Sequence, residues 1–433
     1  VTGDEALSIT DALDAEIATI SAAAFTGALT ATVGITTGAT ITTGSGNDVL
    51  TGAAGNDSFT SGAGDDTIIP TTGIDTVSAG LGNDTIQFTT EAQLTKADTV
   101  DGGAGTDTIE YTLDTTAIDD EDFTLVTNVE TITSTVDKRL KAVTLGAKAE
   151  AAGINSIVFA DTGTADKVTV GADFTTDLTV TLSSDAIATD IVDATNYTGN
   201  LTVKVGSADI DDTNTVLTGG KGTSDKLVYE LGAADDDMTA ATSTGMTAFE
   251  IVEIVDVKPL ANHVFNVAID EDAWPFTSST DYVSFTIDAS SIGASGDTVN
   301  IDGSDNTGTD SLGKLTIKGG DGVNTITISK SANFGDTITA GAGNDTIKAA
   351  ASADLTKADS IDAGAGTDTL TFVDDSTVTD AQFTLITNLE NVSGSADKHL
   401  SATLDTKAAA AGVTGVTFAD TGVTDSLTLK AGF

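Results

Sequence analysis

Between residues 44 and 88, apolar residues recur at every ninth position, each with a polar residue on at least one side: Leu50, Phe59, Ile68, Val77 and Ile86. Successive side chains of a strand point to opposite faces, so each such triplet predicts a minimal strand with one inward side chain. The glycines between the triplets predict tight turns. One strand and one glycine turn form half a coil. The pattern therefore predicts a solenoid in which two nine-residue units complete one coil of 18 residues.

An aspartate stands two residues before each of these apolar positions: Asp48, Asp57, Asp66, Asp75 and Asp84. The 18-residue coil stacks the first, third and fifth of these on one edge and the other two on the opposite edge. Carboxylates one strand spacing apart (about 4.8 Å) repel unless a cation lies between them. Calcium fits because it accepts roughly six to eight oxygen ligands, including backbone carbonyls, in flexible geometry. The alternative is a row of solvated Asx-turns in a glycine-rich loop.

The unit reads G-G-x-G-x-D-x-U-x and resembles the RTX (repeats-in-toxin) calcium-binding family. The resemblance implies an all-β fold, a parallel β-roll or β-solenoid with calcium-binding Gly/Asp turns and short capping connectors between tandem units. We expect multiple Ca²⁺ ions at the five aspartates above, helped by Asn47, Asn56, Asp65 and Asn83. Further aspartates in pairs nine apart extend the candidate metal sites to Asp98, Asp107, Asp336, Asp345, Asp359 and Asp368.

Weaker metal candidates lie outside these pairs. Asn324 stands at the aspartate position with one charge less, and is expected to line a turn without binding metal. In a degenerate copy Ser224 takes the aspartate position and Asp225 is shifted by one, which argues against a calcium site there. Other acidic residues in Gly/Asp-rich surroundings are Asp101, Asp297, Asp302, Asp305 and Asp310.

A larger repeat indicates a tandem array, because residues 74–174 reappear as 335–433 and a fainter copy begins at residue 217. In both full copies an F-x-x-x-x-x-x-E segment follows the glycine turns and is predicted to be a capping connector. We therefore expect the following segments: an Ala/Thr-rich lead-in (1–43), an RTX calcium β-roll (44–109), a connector with strand rungs (110–216), a degenerate unit (217–334) and a second RTX unit homologous to 74–174 (335–433).

The parts between the glycine turns carry local predictions. Leu7, Ile9, Leu13, Ile17 and Ile20 lie loosely on one face and predict a short amphipathic helix in the lead-in. Alternation of period two predicts strands, either solenoid rungs or one sheet of a sandwich, at residues 167–170, 177–182 and 200–205. Because Phe433 matches Phe174, where the first copy continues, we expect the second copy to be cut within a unit.

The amino-acid composition limits the classes of molecule that the chain is expected to bind. The chain has 18 Lys and Arg against 66 Asp and Glu, a formal charge of −48, which disfavours nucleic acid and anionic membranes and favours divalent cations. There is no Cys, so an extracellular chain of this size needs a stabilising element other than disulfide bonds, and bound metal ions can provide it. No apolar run is long enough to cross a membrane. No N-terminal signal is visible, and the type I export typical of RTX-like proteins would explain this.

Catalysis finds little support in the sequence. Both histidines, His263 and His399, stand alone, and the zincin, nucleophile-elbow and P-loop motifs are absent. His399 replaces Arg139 of the other copy and is expected to be a surface cation, and Trp274 is expected to be a buried anchor rather than a glycan platform. The chain is thus predicted not to be an enzyme.

Among RTX-like proteins the chain looks most like bacterial surface-layer proteins, in which acidic Thr/Ala/Gly-rich chains carry GGAGTD units and F-x-x-x-x-x-x-E connectors. The resemblance implies an extracellular structural protein on the bacterial cell surface, which assembles with copies of itself into a layer or filament through calcium, with cell-surface polysaccharide as a second partner. Two other functions stay open: the stalk of an RTX adhesin, and the C-terminal secretion and folding region of a type I-secreted enzyme or toxin.

Overall fold

The computed structural model describes residues 2–9, 11–115, 117–135, 138–160, 165–182, 190–206, 215–231, 237–238, 246–256, 264–268, 283–293, 297–303, 312–330, 335–419, 422 and 424–433. The chain divides into two compact units. Unit 1 comprises Val1–Lys204 and Asn214–Gly222, and unit 2 comprises Val205–Thr213 and Thr223–Phe433. The five predicted segments divide the chain more finely than this and stay a prediction.

Unit 1 is a parallel β-solenoid whose strands stack rung upon rung in three sheets and one short pair. The first sheet runs in the order Leu7–Ser8, Leu29–Thr32, Val49–Thr51, Thr67–Ile69, Thr85–Phe88, Thr108–Tyr111, Thr131–Ser134, Ser156–Val158, Leu178–Thr181 and Leu201–Gly206. The second contains Thr19–Ser21, Thr40–Thr42, Ser58–Ala63, Thr76–Leu81, Thr99–Ala104 and Val126–Thr127. The third contains Val143–Leu145, Lys167–Val170, Ile191–Asp193 and Val216–Thr218. The short pair is Thr2–Gly3 with Ala24–Phe25.

Unit 2 is built in the same way. Its first sheet contains Lys226–Leu231, Ile251–Asp256, Val283–Asp288, Leu312–Lys318, Thr337–Thr339, Ser360–Asp362 and Ile386–Thr387. Its second contains Asp237–Met238, Val264–Ala268, Thr298–Asp302, Val323–Thr327, Thr346–Ala349, Thr369–Phe372, Asn391–Gly394 and Gly415–Thr417. Its third contains Ser376–Thr379, Leu400–Leu404 and Ser426–Leu429. One further strand is Met246–Thr247.

Helices are few and short in the part of the chain that the structure describes. The 3₁₀ helices are Glu91–Gln93, Asp120–Phe123 and Asp380–Phe383, and the α-helices are Ala147–Ala152 and Thr406–Ala411. Within these described residues, none of the helices has the length and apolar character that crossing a bilayer requires. The predicted all-β parallel solenoid is therefore confirmed.

The register confirms the 18-residue coil. Leu50 pairs with Ile68 and Ile68 with Ile86, and all three side chains are fully buried. The next pairing, Ile86 with Ile109, spans 23 residues, because the 3₁₀ helix Glu91–Gln93 lies in that turn. The core is thus a stack of single apolar side chains from each short strand, as the alternation predicts.

The larger repeat is present in the structure. Asp120–Phe123, Ala147–Ala152 and Ser156–Val158 of unit 1 recur as Asp380–Phe383, Thr406–Ala411 and Gly415–Thr417 of unit 2. In each copy a carboxylate from one turn caps the helix of the next. Asp120 Oδ1 accepts the amide hydrogens of Gly146 (2.8 Å) and Ala149 (2.9 Å), and Asp380 does the same for Asp405 and Ala408.

Two local predictions are wrong. The lead-in forms strands instead of an amphipathic helix, and Leu7 and Ile17 of the proposed apolar face are exposed. A short helix is marginal by itself, whereas pairing with Leu29–Thr32 and Thr40–Thr42 satisfies the backbone. The F-x-x-x-x-x-x-E segment does not cap the roll either. Its strand Val126–Thr127 and the strand that follows it, Thr131–Ser134, both pair with rungs of the stack, so the predicted connector continues the solenoid.

Candidate metal centre

Glycines allow the turns of unit 1 to stack at very short distance. Gly80 and Gly82 have φ angles of 114° and 130°. A Cβ atom would lie 2.0 Å from the carbonyl oxygen of Gly62 if added to Gly80, and 2.1 Å from that of Gly64 if added to Gly82. Any side chain would therefore collide with the turn above, and the glycines bring carbonyl oxygens of successive turns close together.

The aspartates of successive turns form a hydrogen-bonded ladder along each edge. On one edge the amide of Asp48 donates to Asp66 Oδ1 (2.7 Å), Asp66 to Asp84 (2.8 Å) and Asp84 to Asp107 (2.7 Å). The opposite edge repeats the pattern through Asp57, Asp75 and Asp98. In unit 2 the pairs are Asp336 with Asp359 and Asp345 with Asp368. The stacking predicted from the spacing is thus present, and in each of these pairs one oxygen of the accepting carboxylate holds the neighbouring turn.

The other carboxylate oxygen is the candidate metal ligand. Oδ2 is buried without a hydrogen-bond partner in seven aspartates: Asp48, Asp66, Asp75, Asp84, Asp107, Asp345 and Asp368. In Asp336 the buried oxygen without a partner is Oδ1. An unpaired buried oxygen is costly, so these atoms fit a bound cation. The remaining three aspartates differ, since Oδ2 accepts from Ala53 at Asp57, from Thr95 at Asp98 and from Thr356 at Asp359.

Without a cation, burial favours the protonated form of these carboxyls. Burial, together with the neighbouring charges of Asp48 and Asp84, raises the pKa of Asp66 from 3.8 to about 7, against the lowering effect of the Asp48 amide. Burial likewise raises the pKa values of Asp75 and Asp107 to about 6. In unit 2 the pKa values of Asp336 and Asp345 also rise to about 6, again chiefly through burial. A divalent ion would supply the positive charge that these sites lack.

The four predicted helper residues have another structural role. Asn47, Asp65, Asn83 and Asn56 are exposed, and each side-chain oxygen accepts an amide hydrogen from the next turn. They form an outer ladder that runs in the opposite sense to the aspartate ladder. If these four residues bind a cation, they would do so through their backbone carbonyls or through the remaining lone pairs of their side-chain oxygens.

Three glutamates that the nine-residue spacing does not predict continue the ladder. The amide of Asp107 donates to Glu130 Oε2 (2.7 Å), that of Asp368 to Glu390 Oε2 (2.8 Å) and that of Asp225 to Glu250 Oε2 (2.7 Å). They break the nine-residue spacing. The signal that could have found them is an acidic residue two positions before a buried apolar residue, as in Glu130–Ile132, Glu250–Val252 and Glu390–Val392.

The weaker candidates fall in several places. Asp225 is fully buried and occupies the ladder position, so the register assigned to Ser224 is wrong by one residue. Asp101 accepts from Asn128 Nδ2 (2.7 Å) outside the ladder. Asp297 is buried at the start of the strand Thr298–Asp302, in which Asp302 is exposed. The remaining candidates lie outside the described residues: Asp305, Asp310, His263 and Trp274.

The only described histidine shows no catalytic geometry. His399 Nδ1 lies 3.6 Å from Asp425 Oδ1, and its side chain is one-third exposed. Across the described ranges, no group of three or more Asp, Glu, His or Cys side chains converges on a point. A cation at these turns would therefore be held by single carboxylate oxygens and by backbone carbonyls, the hard oxygen donors that calcium accepts.

The fold and the ladder define a class, parallel β-solenoids with acidic glycine-rich turns. The family model of the RTX calcium-binding nonapeptide repeat matches four segments, residues 36–68, 70–87, 95–112 and 332–370. These four segments are therefore RTX-type nonapeptide repeats, and RTX nonapeptide repeats bind calcium. Comparison with curated proteins and with solved structures gives no match.

Proposed function

We propose that this chain is an extracellular structural protein whose solenoid is held together by calcium and assembles with copies of itself into a surface layer or filament. The observation that carries the proposal is the row of buried carboxylate oxygens without partners in the RTX turns of both units. Each costs stability as long as no cation is bound, so calcium would decide whether the rungs close.

RTX repeat proteins are typically secreted, and calcium is abundant outside cells at levels suited to weak extracellular sites, with dissociation constants of about 10⁻⁴–10⁻³ M. We infer that the protein acts on the bacterial cell surface. Inside the cell the metal-free turns would stay open, which suits export of an unfolded chain.

Two features support assembly with identical copies. About ten calcium ions, roughly one for each aspartate turn, would cancel less than half of the formal charge of −48, so further ions between chains would lower the repulsion. In addition, both copies of the larger repeat expose a large apolar side chain at a matching position, Leu125 in unit 1 and Leu385 in unit 2. Repeated apolar positions suit a lattice contact, and we propose no catalytic turnover for the chain.

Electron microscopy with light scattering tests the proposal. The purified chain should pass from monomer to ordered sheets or filaments as calcium rises to millimolar levels, and should disperse in chelator. Magnesium at equal ionic strength is the control, because it requires stricter octahedral geometry. Monomers that persist at millimolar calcium and high protein concentration would contradict self-assembly and favour the adhesin stalk or the secretion region of an enzyme or toxin.

A further inference from the structure

One turn of unit 2 differs from all the aspartate turns described above. Asn324 is fully buried at the aspartate position, and its Nδ2 atom lies within hydrogen-bond distance of four oxygens. These are the carbonyls of Gly320 (2.9 Å), Gly322 (2.9 Å) and Ala340 (2.8 Å), and Asp345 Oδ1 (2.9 Å). The Asn324 side-chain oxygen accepts from the amide of Gly320 at 3.1 Å.

This arrangement is that of an oxygen cage around a positive centre. An amide nitrogen carries two hydrogens, yet four oxygens from two successive turns surround it. Three are backbone carbonyls and one is a carboxylate, the donor types that calcium accepts. Of the five atoms in this cluster, only the Asn324 amide nitrogen presents positive charge to the oxygens, through its hydrogens.

The comparison with the neighbouring turns shows what the amide changes. Asp345 and Asp368 each keep a buried oxygen without a partner, whereas both polar side-chain atoms of Asn324 are hydrogen bonded. The ladder bond itself is retained, because the Asn324 amide donates to Asp345 Oδ1 at 2.7 Å. The asparagine also removes one negative charge next to Asp345, and with it the repulsion that a carboxylate would cause there.

We propose that the side-chain amide of Asn324 takes the place of a bound cation and closes this pair of turns without calcium. The inference rests on the proposed role of calcium in the other turns. The strands Val323–Thr327 and Thr346–Ala349 pair through the buried Ile326 and Ile347. We expect this pair, called the Asn324 rung, to persist when calcium is low. Because a solenoid grows by adding rungs to a formed neighbour, this rung is a template on which the calcium turns at Asp345 and Asp368 close.

Hydrogen exchange and calcium counting on the full chain test the proposal. In EDTA the strand Val323–Thr327 should stay protected, while Ser58–Ala63 and Thr76–Leu81 lose protection. Asn324→Asp should bind one more calcium ion than the wild type. In EDTA it should lose the protection of Val323–Thr327, because a carboxylate offers no side-chain hydrogens to the four oxygens and repels Asp345. Calcium should restore the protection.

Asn324→Ala is the matched control, because it deletes the amide without adding a ligand. It should lose protection in EDTA and gain no calcium ion. Loss of protection at Val323–Thr327 in wild-type protein treated with EDTA would overturn the inference, as would an Asn324→Asp variant that binds no additional ion or does not fold with calcium. Equal protection of Ser58–Ala63 with and without calcium would instead contradict the proposed function.

Discussion

The buried carboxyls predict an unusual pH dependence for the metal-free chain. The folded-state pKa of Asp66 is raised from 3.8 to about 7, so the folded state binds the proton more tightly than the unfolded state does. Its stabilising contribution is complete below pH 3.8 and is lost as pH rises through about 7. At about 1.36 kcal/mol per pKa unit, ionising Asp66 costs the metal-free fold up to about 4 kcal/mol, an upper bound because solvent screens part of the charge.

Denaturation in EDTA between pH 4 and pH 8, followed by circular dichroism, measures this effect. The free energy of unfolding should fall as pH rises, and Asp66→Asn should flatten the decline because an amide does not titrate. The matched control is Asp65→Asn, which makes the same charge change at an exposed neighbour; it should change the slope much less, and only through the charge that Asp65 places near Asp84. With calcium the dependence should reverse, since the ion binds ionised carboxylates. A metal-free stability that is constant or rises over this range would refute the reasoning.

Three further predictions concern single side chains. Asp66→Ala should lower the apparent calcium affinity more than Asp48→Ala, because Asp66 has aspartate turns on both sides; equal effects in calorimetric titrations would contradict the stacking register. Asp120→Ala should lower the free energy of unfolding by about 1–2 kcal/mol, since it leaves helix amides of the next turn without an acceptor; an unchanged denaturation midpoint would exclude this role. Phe59→Ala should cost about 3–5 kcal/mol in a calcium-saturated sample, against little for the exposed Val49→Ala, and similar losses for both would argue against the single-file core.

The local pattern was sufficient for the RTX turns. The Leu50, Ile68 and Ile86 register, the ladder of Asp48, Asp66 and Asp84 and the longer turn before Asp98 all follow from spacing, because turn and strand alternate within nine residues. Information within one turn determines which face each residue occupies.

Other features depend on contacts between turns and could not be derived from local spacing. Glu130 lies 23 residues beyond Asp107 and reaches the ladder only because the intervening segment folds back over the rung. Similarly, Leu7–Ser8 and Thr19–Ser21 form strands because partners more than 20 residues later supply the hydrogen bonds. The oxygens around Asn324 come from two turns, so its amide could be interpreted only once the register was known.

The central claim is that calcium closes the solenoid, and far-UV circular dichroism of the full chain tests it most directly. In EDTA most of the strand signal should disappear, and calcium at about 10⁻⁴–10⁻³ M should restore it. A residual signal should remain from the rung at Asn324. A spectrum that EDTA leaves unchanged, in a sample verified to be free of metal, would contradict the account.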